Sequence, residues 1–395
     1  MQIRDFFKSF DYVLAVAVIG LGIFGVVMIY AATNGSSTPL SVVLSDGVTM
    51  WRNQRMFVIS GTVMMLFIAC IDYRFIARFY IYIYVLMVAA LILVLVIGGD
   101  DGTGTARWFR FTVPFLGVMG IQPSEFSKVF IIIFLAKLLD VKKGRFNHIV
   151  WLGLILATVA VPLALVMRQN ALSATLVILF ISLVVLFTAG LYYRTILIGL
   201  ALLVPAGLAV WFDLRREVPL FIHHILQPYQ LGRIRTALDP YAANPDDLWQ
   251  LEASLYAIGT GGLSGRGFLE HPHVALGHND FIFSVAASQF GFVGAAILLG
   301  VIALIIVKCI YAALRAEDLT GRLIASGVAG MIVFETFVHV GVAVGLLPVT
   351  GMPLPFMSSG GSMIWGHMMA MGIVLNISLP RKKSMFYEPI CEADV

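Results

Sequence analysis

Charge is what this chain has least of. Only 12% of its 395 residues are Asp, Glu, Lys or Arg, against 60% hydrophobic, and the mean hydropathy is +0.94. A water-soluble domain carries about 25% charged residues, so half that share excludes a soluble enzyme: most of the surface faces something other than water. Cysteine is scarce too. Cys70, Cys309 and Cys391 stand far apart, which excludes a disulfide framework and a cysteine-built metal site. The strict in/out alternation of a membrane barrel is lacking, and there is no long repeat, low-complexity tract or second domain.

Uninterrupted apolar sequence is what the chain has in quantity. Crossing a hydrocarbon core of ~30 Å takes roughly 20 residues, and runs of that order recur at 12–32, 56–71 with its flanks, 79–98, 123–140, 148–167, 171–190, 195–212, 281–307, 323–347 and 353–379. Backbone groups find no water at that depth, so continuous runs must be helices. The pattern predicts an all-α polytopic membrane protein of about ten transmembrane helices. Ala31-Ala32-Thr33-Asn34 imitates a cleavage site, but the many spans that follow make the first run an integral helix.

With ten spans both termini share one side. Arg4, Lys8, Arg74, Arg78, Lys137, Lys142, Lys143, Arg145, Arg194, Lys308, Arg315, Arg322 and Arg381-Lys382-Lys383 fall there, while Asp100, Asp101, Asp213, Asp246 and Asp247 fall opposite. The positive side is the cytoplasmic one, and the same cations suit the anionic lipid of that leaflet. Both termini are thus expected in the cytoplasm, with 381–395 a polar tail. A large extracytoplasmic loop, about 213–280, precedes the eighth helix, and connections of that length are generally functional. Within it Phe221–Leu226 reads as an interfacial piece and Leu248–Ile258 as a helix.

Four motifs can carry chemistry. In His278-Asn279-Asp280-Phe281-Ile282-Phe283 a carboxylate meets the membrane surface; Asp280 reads as a helix cap or as a desolvated general base. In Gln122-Pro123-Ser124-Glu125-Phe126-Ser127-Lys128, Pro123 opens a helix and Glu125 shares a face with Lys128, as a neutralising pair or a functional one. The glycines of 259–267 with Arg266 offer either a flexible turn or an anion-binding concavity. Lastly, Pro348, Pro353 and Pro355 interrupt the final run before Ser358-Ser359-Gly360-Gly361-Ser362, which permits close packing or lines a cavity. Glu335 and His339, four apart, read as a polar couple directed at that cavity. No nucleic-acid motif and no metal-ligand spacing is present.

Together and in this order these residues resemble the SEDS family of cell-wall polymerases (RodA, FtsW, SpoVE). The resemblance covers nearly the whole of 1–395 as a single membrane domain. It runs through Asp11-Tyr12, Arg107-Trp108, Gln122-Pro123-Ser124-Glu125 with Lys128, Tyr229-Gln230 with Arg233, Gln250, Ser254, His278 with Asp280-Phe281-Ile282-Phe283, and Leu354-Pro355-Phe356 with Ser358 and Gly360-Gly361-Ser362. It implies a peptidoglycan glycosyltransferase of the bacterial cell membrane that polymerises lipid II and releases undecaprenyl pyrophosphate. A class B penicillin-binding protein would be the partner. Asp280 then matches the family's essential aspartate and is the expected base. Lys128, Arg107, Arg233 and Arg266 are expected at phosphate, Glu125 at substrate or Lys128, and Gln122, Gln250, His278, Ser358, Gly360, Gly361 and Ser362 at the substrate site. No cofactor is evident, though pyrophosphate chemistry often recruits a divalent cation. A lipid-precursor flippase and a non-catalytic scaffold of the wall-synthesis complex are the other readings. The chain departs from the family pattern at Ala275-Leu276, Asn279, Ser288-Gln289, Gln169–Ala174, Glu335, His339 and Ser359.

Overall fold

Apolar runs become helices here because a chain in hydrocarbon can satisfy its N–H and C=O groups only within itself. The computed structural model describes residues 10–35, 48–100, 106–113, 117–144, 147–192, 228–238, 245–272 and 277–379, with scattered positions between 194 and 213 and residue 274. In chain order the helices are α1 (Tyr12–Asn34), α2 (Val48–Ala69), α3 (Tyr73–Arg78), α4 (Tyr80–Ile97), α5 (Pro123–Val141), α6 (Ile149–Arg168), α7 (Leu172–Thr188), α8 (Pro228–Leu238), α9 (Pro245–Gly261), α10 (Ile282–Arg315), α11 (Leu319–Ala343) and α12 (Gly361–Ser378). Among the described residues five of these, α1, α4, α6, α10 and α11, are long and apolar enough to cross a bilayer. The protein is a multi-pass membrane protein. Most of the run 195–212, the piece Phe221–Leu226 and the tail 381–395 lie outside the described residues.

Polarity decides which helices stand at the centre. In lipid there is no gain from burying a leucine, so polar and small residues select the packed faces. Accordingly α4, apolar all round, buries only Met87, Leu91 and Val94. α5, with Ser124, Glu125, Ser127 and Lys128, is buried along almost its whole length, as is α12 with Ser362, His367 and Asn376. α11 lies against α5, α7, α10 and α12. At the end away from the site, Lys308 pairs with Asp11 at 3.0 Å, Arg74 with Glu317 at 2.9 Å, and the Tyr73 hydroxyl donates to Asp318 at 2.5 Å.

Three features differ from the sequence expectation. First, 99–121 is not plain loop: β1 (Gly99–Asp100), β2 (Ala106–Val113) and β3 (Gly117–Ile121) form an antiparallel sheet in that order, with Phe109 opposite Ile121. Its aromatic and β-branched residues are strand formers that the search for long apolar runs passed over. Second, 281–307 is not one span. α10 breaks at Gly291 (φ 66°), and the glycine loop after α9 supplies the backbone partners the break sets free. Arg266 N–H donates to Ser288 O at 3.0 Å, Gly267 N–H to Gln289 O at 3.2 Å, and Phe292 N–H to Gly262 O at 2.9 Å. A Cβ at Gly265 or Gly291 would strike the opposing backbone. Residues 281–289, ahead of the break, are all buried in protein. Third, the last helix begins at Gly361 and not at 353, since the prolines at 348, 353 and 355 hold the chain in irregular form until then.

Candidate active site

The first residues of α5, α7, α10 and α12 meet at one cavity of about 810 Å³. Gln122 and Glu125 line it from α5, Ala171–Ala174 from α7, Asn279 and Asp280 from the entry to α10, and Gly360 from the entry to α12. None of these four helices has a side-chain hydrogen bond at its cap. α4, away from the cavity, also starts without one, on Phe79, whereas α1, α3, α6 and α11 start on Asp11, Asp72, His148 and Asp318, whose side chains accept from the first turn. Bare N-termini carry partial positive charge and donate N–H groups to anions. Those of α5, α7 and α12 prepare the space for a strongly anionic ligand, whereas the start of α10 is buried in protein, its Phe283 N–H donating to His339 Nε2.

Asp280 is the carboxylate in that space. It is 9% exposed, and among the described residues it accepts no hydrogen bond and forms no ion pair. The helix cap is Phe281, so Asp280 does not serve as the cap. Burial raises its pKa from the ordinary 3.8 to about 6, and the nearby Arg233 guanidinium opposes part of the rise. Gly351 (φ 69°) lies alongside, where a Cβ would come 3.5 Å from the carboxyl, so glycine keeps that approach open. An unengaged carboxylate near pKa 6 facing a cavity has the properties of a general base. Arg233, on α8, lines the same space, with Nη1 3.4 Å from Val349 O.

Glu125 reaches the cavity wall, but Lys128 does not. Lys128 is sealed beneath at 2% exposure, its Nζ 2.8 Å from Glu125 Oε2 and 2.7 Å from Glu335 Oε1. This corrects the expectation of a lysine at phosphate: in a membrane interior a lone ammonium is costly and takes carboxylate partners. Glu335 Oε2 in turn lies 2.6 Å from His367 Nε2. Glu335 and His339 share a face of α11 without pairing. His339 Nδ1 lies 2.8 Å from Met352 O, and its Nε2 accepts a long hydrogen bond from Phe283 N–H at 3.5 Å.

The remaining expected residues divide into lining and framework. Arg107, on β2, lines the cavity and donates to Gln169 O at 2.7 Å and Asn170 O at 3.1 Å, the carbonyls that end α6. Gln122 lines it too, its N–H held by Ser362 Oγ at 2.9 Å, and Gly360 N–H is held by Gln54 Oε1 at 3.1 Å. Ser358 is fully buried and ties the floor, donating to Asn279 O at 2.7 Å and accepting from Leu354 N–H at 2.8 Å. Gly361 packs on the Phe57 ring, and the His278 carbonyl accepts from Ser359 N–H. Gln250, on α9, and the exposed Arg266 do not line the cavity. The anion-nest reading of 259–267 is thereby corrected, because the N–H groups of Arg266 and Gly267 are spent on α10.

Ser288 and Gln289 are buried away from the cavity lining, and among the described residues their side-chain oxygens and amide have no hydrogen-bond partner. Carboxylates there would have been sealed without a described counter-charge. Trp108, Ser173 and Thr350 also line the cavity; Trp108 belongs to the Arg107-Trp108 pair that carries the resemblance and Ser173 to the departing stretch Gln169–Ala174, while Thr350 had no such marker. His367 carries one signal legible in the sequence, a titratable side chain inside an apolar run. Among the described residues no group of His, Cys, Asp or Glu is arranged to hold a metal ion.

Known proteins resemble this chain in sequence and fold. The family model described as "Cell cycle protein" (FtsW/RodA/SpoVE) matches residues 12–383. The chain is 32% identical over 378 residues to the probable peptidoglycan glycosyltransferase FtsW of Trichlorobacter lovleyi, covering 94% of this chain and 93% of that one. It is 33% identical over 286 residues to the peptidoglycan glycosyltransferase MrdB of Escherichia coli K12, covering 71% and 72%. A chain from a peptidoglycan synthase complex, solved for the coordination of polymerization and crosslinking, superposes with a TM-score of 0.76 at 30% identity, covering 93% and 97%. The crystal structure of the Thermus thermophilus rod shape determining protein RodA does so with 0.65 at 26% identity, covering 95% and 98%. A match across nearly the full length, with relatives above 30% identity over most of both chains, makes this protein a member of the FtsW/RodA/SpoVE family.

Proposed function

We propose that the protein is a peptidoglycan glycosyltransferase that polymerises lipid II into glycan strands and releases undecaprenyl pyrophosphate. One observation carries the reading: Asp280, buried, unengaged and with its pKa raised to about 6, faces a cavity lined by the bare starts of α5, α7 and α12 together with Arg107 and Arg233. Asp280 takes the proton from the acceptor sugar's hydroxyl as that oxygen attacks the donor's anomeric carbon. The anomeric C–O bond breaks with inversion and its electrons leave with the diphosphate. Arg107, Arg233 and the helix N-termini receive the departing charge as preorganised donors. Glu125, fixed by Lys128, orients the sugars from the α5 wall.

In this reading the cavity and the loop of about 213–280 are extracytoplasmic and both termini cytoplasmic. A class B penicillin-binding protein crosslinks the strands as they emerge. The flippase alternative draws on the intramembrane charges, yet Lys128 and Glu335 are closed into ion pairs and do not line the cavity. The test is glycan-strand synthesis from lipid II by purified protein with its transpeptidase partner. Wild type should make polymer and Asp280→Ala none; equal polymer from both removes Asp280 as the base. Dye-labelled lipid flipping in liposomes that survives Asp280→Ala would favour transport.

A further inference from the structure

Glu335 and His339 are one turn apart on α11, fully buried, and outside the cavity lining. The chemistry above gives neither a task, although ionisable residues inside a membrane helix are costly to keep. Each is committed to a different wall of the cavity. We propose that they are positioning residues, a two-point brace in which Glu335 sets the Glu125 carboxylate through Lys128 and His339 sets Asp280 through the first turn of α10. The second half rests on the reading of Asp280 as base.

The Glu335 arm follows from a charge count. His367 Nδ1 lies 2.8 Å from Met363 O and Nε2 2.6 Å from Glu335 Oε2. Both partners accept, so both ring nitrogens carry protons and the ring is a cation beside an ionised Glu335. Glu125, Lys128, Glu335 and His367 then make two negative and two positive charges, a neutral set linking α5, α11 and α12. Glu335 is the member that touches both cations. Replacing its carboxylate by an amide leaves the set positive and Lys128 with Glu125 alone, which draws that carboxylate off the cavity wall.

The His339 arm follows from the tautomer. Met352 O only accepts and Phe283 N–H only donates, so the ring is neutral, with its proton on Nδ1. Its two partners flank the base: Phe283 sits three residues past Asp280, and Met352 follows Gly351, the glycine beside the carboxyl. One ring therefore sets the distance between the two segments that frame Asp280. Asparagine carries one donor and one acceptor as this tautomer does; leucine carries neither.

The experiment measures kcat and KM for lipid II polymerisation by the full-length protein with its partner, and Tm by thermal unfolding. The variants are Asp280→Asn, Glu335→Gln, His367→Gln, the Glu335→Gln/His367→Gln double, His339→Leu and His339→Asn. Glu335→Gln and His339→Leu are expected to lower kcat per folded molecule by about 100-fold, the scale of an ångström of misplacement, with KM little changed. The double variant, neutral again, should recover to within about ten-fold of wild type, and His339→Asn likewise. Losses that multiply in the double variant, equal losses in His339→Asn and His339→Leu, or unchanged kcat with only a lowered Tm would each overturn the brace. An active Asp280→Asn would instead remove the base reading and the His339 arm with it, leaving the Glu335 cycle to be judged by itself.

Discussion

Replacing Asp280 by asparagine should make the protein more stable while it stops polymerising. Moving a carboxyl from 3.8 to about 6 disfavours its ionised form by about 3 kcal/mol. The group is 9% exposed, so solvent relieves little of this. The sign follows from proton counting. Between pH 3.8 and about 6 the folded state binds more protons than the unfolded one, so stability falls as pH rises through that window and stays lower above it. At pH 7.5 the wild type therefore carries the whole cost. An amide removes the charge but still needs desolvating, so the net gain from Asp280→Asn is about 1–3 kcal/mol, an increase of a few degrees in Tm. The gain should vanish near pH 4, where both side chains are neutral. Thermal unfolding of detergent-purified protein from pH 4 to 8 reads the stability, and lipid II polymerisation over the usable part of that range reads activity. Wild-type kcat/KM should climb with an apparent pKa near 6, the value of the base in the free protein. If Asp280→Asn is no more stable than wild type at pH 7.5, or its advantage is the same at pH 4, Asp280 is not a desolvated carboxylate and the argument for a base fails.

Three further outcomes are expected. Arg233 opposes the rise in the Asp280 pKa, so Arg233→Ala should shift the acid limb of the pH–rate profile to higher pH and raise KM for lipid II; an unmoved limb separates Arg233 from the base. Ala171→Asp would cap the bare start of α7 and stabilise the protein by about 0.5–2 kcal/mol. It also puts a negative charge where the diphosphate is received, raising KM about ten-fold, so Tm and KM should rise together. Gly291→Ala puts a Cβ onto the Leu263 backbone at a positive φ, and should lower Tm by several degrees with loss of activity in step; an unaffected Tm would mean that the break in α10 is not held by the glycine loop.

Much of this protein could be read before any coordinate. Transmembrane helices answer to a one-dimensional rule, since hydrocarbon demands long stretches without charge, and α1, α4, α5, α6 and α7 lie within a few residues of the apolar runs that announce them. Asp280 was visible as a carboxylate at the edge of such a run, and Glu125 with Lys128 as a charged pair three residues apart. What the chain could not declare was which polar groups meet. Lys128 finds Glu335 across 207 positions, and that meeting turns an expected phosphate ligand into a sealed counter-charge. Arg266 and the glycines around it carry the composition of an anion site but are consumed by the break in α10. Whether Asp280 caps its helix or stands open to a cavity depends on one residue of register, with Phe281 as the cap. Burial along a span is a local property of the side chains, whereas the charge around a cavity is set by helix ends brought together from distant parts of the chain, and only the packed fold decides which ends those are.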